Sequence, residues 1–338
     1  MAAFFLRFVK AERLQQILGR ASKQRMLVIG DLMLDEFVWG KVGRISPEAP
    51  VPVVEVSGES FYPGGAANVA RNLREFTTNV GVVGMIGRDR GGEQLRQLLS
   101  DQKIDTSACS ISADFPTIVK TRIIARQQQV VRVDREKIVA PDAKQIASVV
   151  ACVKEMLSDV DGIIFEDYGK GFLAAELVSE IIGPARKAKK VVAADPNPRH
   201  NIPWRGLSVI KPNRSEAFHA AGIPLREFDA DDEVLKEVGT TLLQKWETQL
   251  LLITLGEDGM MLFQSGEKPH HVPTKARQVF DVSGAGDTAI ALFTLALCSG
   301  ATPLEAAEIA NHASAVVVGK LGTATLSPEE LRKNFENG

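Results

Sequence analysis

Asp281-Val282-Ser283-Gly284-Ala285-Gly286-Asp287-Thr288 joins an apolar, β-branched approach (Gln278-Val279-Phe280) to a long apolar helix expected over about Ala285 to Cys298. A glycine turn that opens a helix presents successive unpaired backbone N–H groups at the positive end of the helix dipole, where an anion is favoured. Asp287 stands in that first turn, placed to take a proton from a hydroxyl attacking a bound phosphate. Taken alone, Gly-x-Gly-Asp is more often a helix-capping aspartate after a flexible turn. Its companions decide between the two readings.

Short apolar runs recur along the chain at Met26–Gly30, Val80–Met85, Gly162–Phe165, Val191–Asp195, Leu207–Ile210 and Leu250–Thr254. Helical patterns lie between them, at Gly91–Leu99, Ala143–Leu157 and Leu173–Lys189. This alternation predicts an α/β fold, a mostly parallel central sheet with helices on both faces. Two regions, about 36–57 and 115–134, alternate with period two and have no helix between their paired runs. They predict a small antiparallel β lid projecting from the main sheet. In the second region, Lys120, Arg122 and Arg126 fall on one face, either a solvated face or an anion-binding surface. In the first, Val51–Val56 offers an apolar face that either covers a ligand or pairs with a second subunit. No Pro/Gly/Ser-rich or low-complexity tract divides the chain, so residues 1–338 are expected to form one domain.

The 338 residues are 45% apolar and 24% charged, with a net charge of −2. That balance argues against a nucleic-acid surface, and no apolar run is long enough to span a membrane. Cys109, Cys152 and Cys298 lack metal or redox spacing, and the five histidines lack metal-ligand spacing. At the N-terminus Arg7 interrupts a short apolar run, which reads as an amphipathic helix through about Leu18 and not as a secretory signal. A cytoplasmic protein is expected.

Ligands of an open α/β sheet sit outside the carboxyl ends of its strands, and several polar residues fall at that edge. Asp31 follows the first strand and, if unpaired, can accept hydrogen bonds from neighbouring sugar hydroxyls; capping a turn is its alternative fate. Gly64 and Gly65 permit close backbone approach before a helix, and Asn68 offers a donor and an acceptor. Lys170, in Glu166-Asp-Tyr-Gly-Lys-Gly171, brings a cation to the cleft, and Asp195 ends another strand. Lys211-Pro-Asn213-x-x-Glu216 has the pattern of a capping box, yet beside a nucleotide its polar groups face a phosphate-bound Mg²⁺. Thr254 and Gly256 begin a glycine turn able to follow a triphosphate. The chain contains no G-x-x-x-x-G-K-[ST], which excludes a P-loop NTPase. Its first strand also lacks the G-x-G-x-x-G loop of a dinucleotide-binding domain, which sets aside an oxidoreductase.

In these motifs, from Met26 to Leu331, the chain resembles the ribokinase-like carbohydrate kinase family. The resemblance rests on Gly64-Gly65-Ala-Ala-Asn68, Lys211-Pro-Asn213-x-x-Glu216 and Asp281-x-x-Gly-Ala-Gly-Asp287-Thr288, in that order. Two further stretches, Gly43–Val53 and Val317–Pro328, look like those of the D-glycero-β-D-manno-heptose 7-phosphate kinases, which make the 1,7-bisphosphate on the way to ADP-heptose and lipopolysaccharide. The resemblance implies a ribokinase-like fold, with Asp287 as base and Gly284, Ala285 and Gly286 as anion hole. It further implies Lys211, Asn213, Glu216, Thr254 and Gly256 around Mg-ATP, with Glu216 reaching the metal through water. Asp31, Gly64, Gly65 and Asn68 would hold the sugar, with Arg122 and Lys170 near its phosphate. A homodimer through the lid is expected, and a monovalent cation is a candidate cofactor. Many relatives carry a C-terminal nucleotidyltransferase; since the chain stops at Gly338, the kinase alone is expected. The alternatives are a kinase for another sugar or sugar phosphate and, from a different class, a nucleotide-binding regulator without turnover.

Overall fold

The computed structural model describes residues 9–126, 128–225, 232–276 and 279–337. The chain runs through α1 (Ala11–Ala21) and β1 (Arg25–Gly30) into a long hairpin, β2 (Leu32–Ile45) and β3 (Pro52–Gly65). Next come α2 (Ala66–Arg74), β4 (Asn79–Val83), β5 (Met85–Gly87), α3 (Arg90–Asp101) and β6 (Ser110–Ser112). A second hairpin, β7 (Ile118–Ala125) and β8 (Gln128–Arg135), precedes α4 (Ala143–Met156), β9 (Gly162–Glu166), α5 (Ala175–Lys187) and β10 (Val191–Asp195). Then follow β11 (Val209–Ile210), α6 (Arg214–Ala221), α7 (Asp232–Trp246), β12 (Leu250–Thr254), β13 (Met260–Gln264) and β14 (His270–Val272). Three helices close the chain: α8 (Ala285–Cys298), α9 (Pro303–Val317) and α10 (Pro328–Asn337).

The main sheet has the order β14-β13-β12-β11-β10-β9-β1-β4. It is parallel from β4 to β12, and only the β12–β13–β14 edge runs antiparallel. Strands buried on both faces must be apolar throughout, as Met26–Ile29 and Leu250–Ile253 are. One face packs against α1, α2, α8, α9 and α10, where Ile17, Leu73, Phe293, Ile309 and Leu331 are buried. The other packs against α4 to α7, where Val153, Ile181, Phe218 and Leu242 are buried. The layers are those expected, with the helix over Ala285–Cys298 at its expected bounds.

Two apolar runs are shorter than expected. Val80–Met85 breaks at Gly84, where a Cβ would lie 2.5 Å from Leu32 Cγ and 2.7 Å from the Gly30 carbonyl. Of Leu207–Ile210, only Val209–Ile210 pairs into the sheet. The N-terminal helix begins at Ala11 and ends at Ala21; the part expected before residue 9 lies outside the described residues, as does Gln278.

The lid is a four-stranded sheet in the order β3-β2-β7-β8. Each hairpin is antiparallel, and the two join through a parallel pair, β2 with β7. It reaches further than the expected segments, because β2 begins at Leu32 with the buried run Leu32-Met33-Leu34. Every residue of β8 is exposed. Lys120 and Arg122 share a face of β7, but Arg126 lies beyond the strand with φ +49° and is removed from that face.

Candidate active site

The α8 N-terminus stands at the carboxyl edge of the main sheet. Gly284 takes φ +81°, and a Cβ there would lie 2.9 Å from Asn68 Nδ2. No side chain caps this helix start. The Asp281 carboxylate fixes the loop ahead of it, accepting from the Ser283 N–H at 2.9 Å and the Gly322 N–H at 3.1 Å. Asp287, 6% exposed, is held at both oxygens: Asn68 Nδ2 donates at 2.6 Å and the Tyr168 hydroxyl at 2.9 Å. Burial raises the Asp287 pKa above the ordinary carboxylate range, while these two donors and Lys211 pull it back in part. Burial and the neighbouring Asp287, Glu166 and Asp195 hold the Tyr168 phenol well above its usual pKa, so it is a donor.

The expectation that Asp31 is an unpaired carboxylate in the cleft is corrected. Asp31 is 1% exposed and accepts from the backbone N–H groups of Tyr168 (3.0 Å), Lys170 (2.9 Å) and Phe172 (3.2 Å). It secures the loop carrying Tyr168, which is the turn-capping fate of a strand-end aspartate. Asp35 on β2 stands beside the glycine pair: a Cβ on Gly64 would lie 2.5 Å from its Oδ2, and Arg122 donates to its Oδ1 at 2.5 Å. Gly65 takes φ +58° and lets the Ala66 N–H reach the Asp31 carbonyl at 3.0 Å, which starts α2. From that helix Asn68 presents Oδ1 as a buried acceptor with no partner among the described residues. Lys170 lies beside the lid and donates to Glu136 at 2.8 Å.

The other expected residues, except Ala285, converge on one cavity of about 830 Å³, lined by Lys211, Asn213, Glu216, Thr254, Gly256, Gly284, Gly286 and Asp287. Asn213 and Glu216 do form a capping box on α6: Asn213 Oδ1 accepts from the Glu216 N–H at 2.9 Å, and Glu216 Oε2 from the Asn213 N–H at 2.8 Å. Lys211, 3% exposed, pairs with Asp195 at 2.6 Å. Burial opposes the lysine's charge, but Asp195 and Glu166 outweigh it and raise its pKa. Glu166 is fully desolvated, and that burial, with Asp195 and Asp287 nearby, pushes its carboxyl well up. A second, apolar cavity of about 490 Å³ adjoins the first and shares Thr254, Gly256, Val282 and Gly286. Its wall includes Ala285, Val279, Ala315 and Val318.

A phosphate-bound Mg²⁺ keeps several waters and needs only one or two carboxylates nearby. The cavity offers them. Glu166 Oε2 is a buried oxygen without a hydrogen-bond partner among the described residues, and Asp195 and Glu216 stand on the same wall. No three-ligand His/Cys/Asp/Glu cluster is preformed among the described residues.

Sequence reasoning missed three residues: Tyr168, Asp35 and Glu166. Tyr168 had a signal, since tyrosine occurs twice in the chain and this one follows a strand end. Asp35 lay just before the alternating region expected from about residue 36, at the end of a run buried throughout, so no period-two signal marked it.

The architecture is the ribokinase-like α/β fold. Arabidopsis thaliana ribokinase complexed with ribose and ATP superposes with a TM-score of 0.70 at 19% identity, over 93% of this chain and 99% of that one. Escherichia coli phosphofructokinase-2 in complex with potassium gives 0.75 at 17% identity, over 93% and 98%. The pfkB family of carbohydrate kinases matches residues 23–330, and the chain belongs to that family. The bifunctional protein HldE of Helicobacter hepaticus is 42% identical over 314 residues, 93% of this chain and 64% of that protein. Its counterpart in Desulfatibacillum aliphaticivorans is 39% identical over 316 residues, 94% and 64%. The chain thus spans 64% of the length of these curated relatives.

Proposed function

We propose that the protein transfers the γ-phosphoryl group of Mg-ATP to the C1 hydroxyl of D-glycero-β-D-manno-heptose 7-phosphate. One observation carries the reading: a buried carboxylate, Asp287, held by two donors at an uncapped helix start on the edge of an 830 Å³ polar cavity. The triphosphate occupies that cavity beside Lys211 and Gly256, with the base in the adjoining apolar cavity. The sugar lies against Gly64, Gly65, Asp35 and Asn68, whose Oδ1, without a partner among the described residues, accepts a hydrogen bond from a sugar hydroxyl. Asp287 takes the C1 proton as the sugar oxygen bonds to the γ-phosphorus and the bond to the ADP oxygen breaks. The backbone N–H of Gly286 meets the charge that develops on the phosphoryl oxygens, the Ala285 N–H being donated to the Val282 carbonyl at 3.3 Å. Bound magnesium, near Glu216, Glu166 and Asp195, would neutralise phosphate charge.

The heptose assignment draws support from Gly43–Val53 and Val317–Pro328 and from the cations beside the cleft. It is tested by offering the protein a panel of phosphorylated sugars and locating the new phosphate. A product phosphorylated elsewhere than C1, or a preference for another sugar, would overturn it. The exposed lid residues Val51, Val56, Val131 and Val133 support a homodimer through that sheet. Only monomer in sedimentation at micromolar protein would overturn the dimer.

A further inference from the structure

Glu136 follows the end of β8 and bridges two lysines that arrive from different parts of the fold. Its Oε1 accepts from Lys170 Nζ at 2.8 Å, and its Oε2 lies 3.7 Å from Lys120 Nζ. Lys120 belongs to β7 in the lid, whereas Lys170 sits on the loop after β9, its backbone fixed by Asp31. The three side chains are partly shielded, with 13% of Lys120, 18% of Lys170 and 28% of Glu136 exposed. A carboxylate between two ammonium groups stands where a phosphate would be held.

The neighbouring ion pairs are built differently. Asp35, on β2, is buried against Arg122 at 2.5 Å. Asp134, on β8, receives Lys120 at 3.5 Å and is also gripped by Arg132 at 2.9 Å and 3.0 Å. Both carboxylates are fixed by their strands. Of the three, Glu136 alone lies outside a strand and can leave without disturbing the lid.

We propose that Glu136 is a resident counter-ion which the phosphate of the sugar substrate displaces. This rests on the sugar-phosphate reading above and deepens it by assigning the phosphate to Lys120 and Lys170. In the empty cleft Glu136 holds the two cations together across the seam between lid and main sheet. An incoming phosphate brings more charge and more acceptor oxygens than one carboxylate, so it wins the exchange. A sugar without a phosphate leaves the latch closed. Glu136 is then a specificity residue, and its removal has an unusual sign: binding improves.

The test is to titrate inorganic phosphate calorimetrically into the full chain saturated with a non-hydrolysable ATP analogue, and to measure KM for heptose 7-phosphate. Glu136→Gln and Glu136→Ala should each bind phosphate about two- to fivefold more tightly and lower the sugar-phosphate KM by a similar factor, the scale of one partly exposed ion pair. A Lys120→Ala/Lys170→Ala double variant should lose the phosphate heat. Weaker or unchanged phosphate binding in both Glu136 variants, or a double variant that binds like the wild type, would overturn the latch. If phosphate titrates as expected but heptose 7-phosphate is not turned over, the latch stands and the substrate assignment falls.

Discussion

Two helices begin on the wall of the same cavity, and they begin in opposite ways. At α6 the Asn213–Glu216 box satisfies the N–H groups of Asn213 and Glu216 within the chain itself. At α8 the N-cap is Gly284 and no side chain takes that role, although an aspartate stands in the first turn. That aspartate is drawn sideways to Asn68 and Tyr168 instead of back onto its own helix. A helix start can hold an anion only where its N–H groups are not already spoken for. On the function proposed above, the difference would separate their duties: α8 would receive the transferring group through the Gly286 N–H, the Ala285 N–H being donated to the Val282 carbonyl, and α6 would contribute its side chains from a fixed platform.

The strongest way to break this comparison is Asp287→Asn, which keeps the α8 start uncapped and removes its base. Turnover should fall about 10²–10⁴-fold while ATP affinity, measured by direct titration, holds. Near-normal turnover would mean that the proton goes elsewhere.

Tyr168→Phe should come next. A hydrogen bond to a charged group contributes about 1.5–3 kcal/mol, so kcat should drop about tenfold to a hundredfold. Tyr168 favours the ionised form of Asp287, so its loss raises a pKa that burial has already raised. The base works only when deprotonated, and activity fails as pH falls through that pKa. The acid limb of the kcat/KM profile should consequently move to higher pH in the variant, and an unmoved limb would detach Tyr168 from the base.

At α6 the two duties can be separated. Glu216→Gln retains a side chain able to complete the box, so thermal stability should hold. If Glu216 serves magnesium, the Mg²⁺ concentration for half-maximal activity should rise about tenfold. An unchanged requirement would reduce Glu216 to a cap. The smallest effect belongs to Asn213→Ala, which should cost about 1 kcal/mol of stability, read as a shift in denaturant midpoint.

The layered sheet and α8 were legible because each has one dominant signal: unbroken apolar strands, and a helix apolar on all sides behind a glycine turn. The lid was legible only where it meets solvent. Period two vanishes at Leu32-Met33-Leu34, where β2 is buried on both sides, so its root merged with the core pattern. Asp31 was misread for a different reason. A carboxylate at a strand end looks the same in sequence whether it meets a sugar or N–H groups 137, 139 and 141 residues away. Tyr168 depends on that same fold-back, which no local pattern encodes. Lys120, Arg122 and Lys170 are each paired with a carboxylate, and these partners arise from strand register and loop return, which spacing does not reveal.

The Asp31 clamp also bears on how the protein acquires activity. Tyr168 is anchored across 137 residues to Asp31, and it reaches 119 residues onward to Asp287, which Asn68 meets across 219. Each closure spans a large fraction of the chain, and contacts of such separation are slow to form. A refolding chain therefore gains secondary structure well before it gains a competent base. Recovered turnover should lag far-UV circular dichroism during refolding.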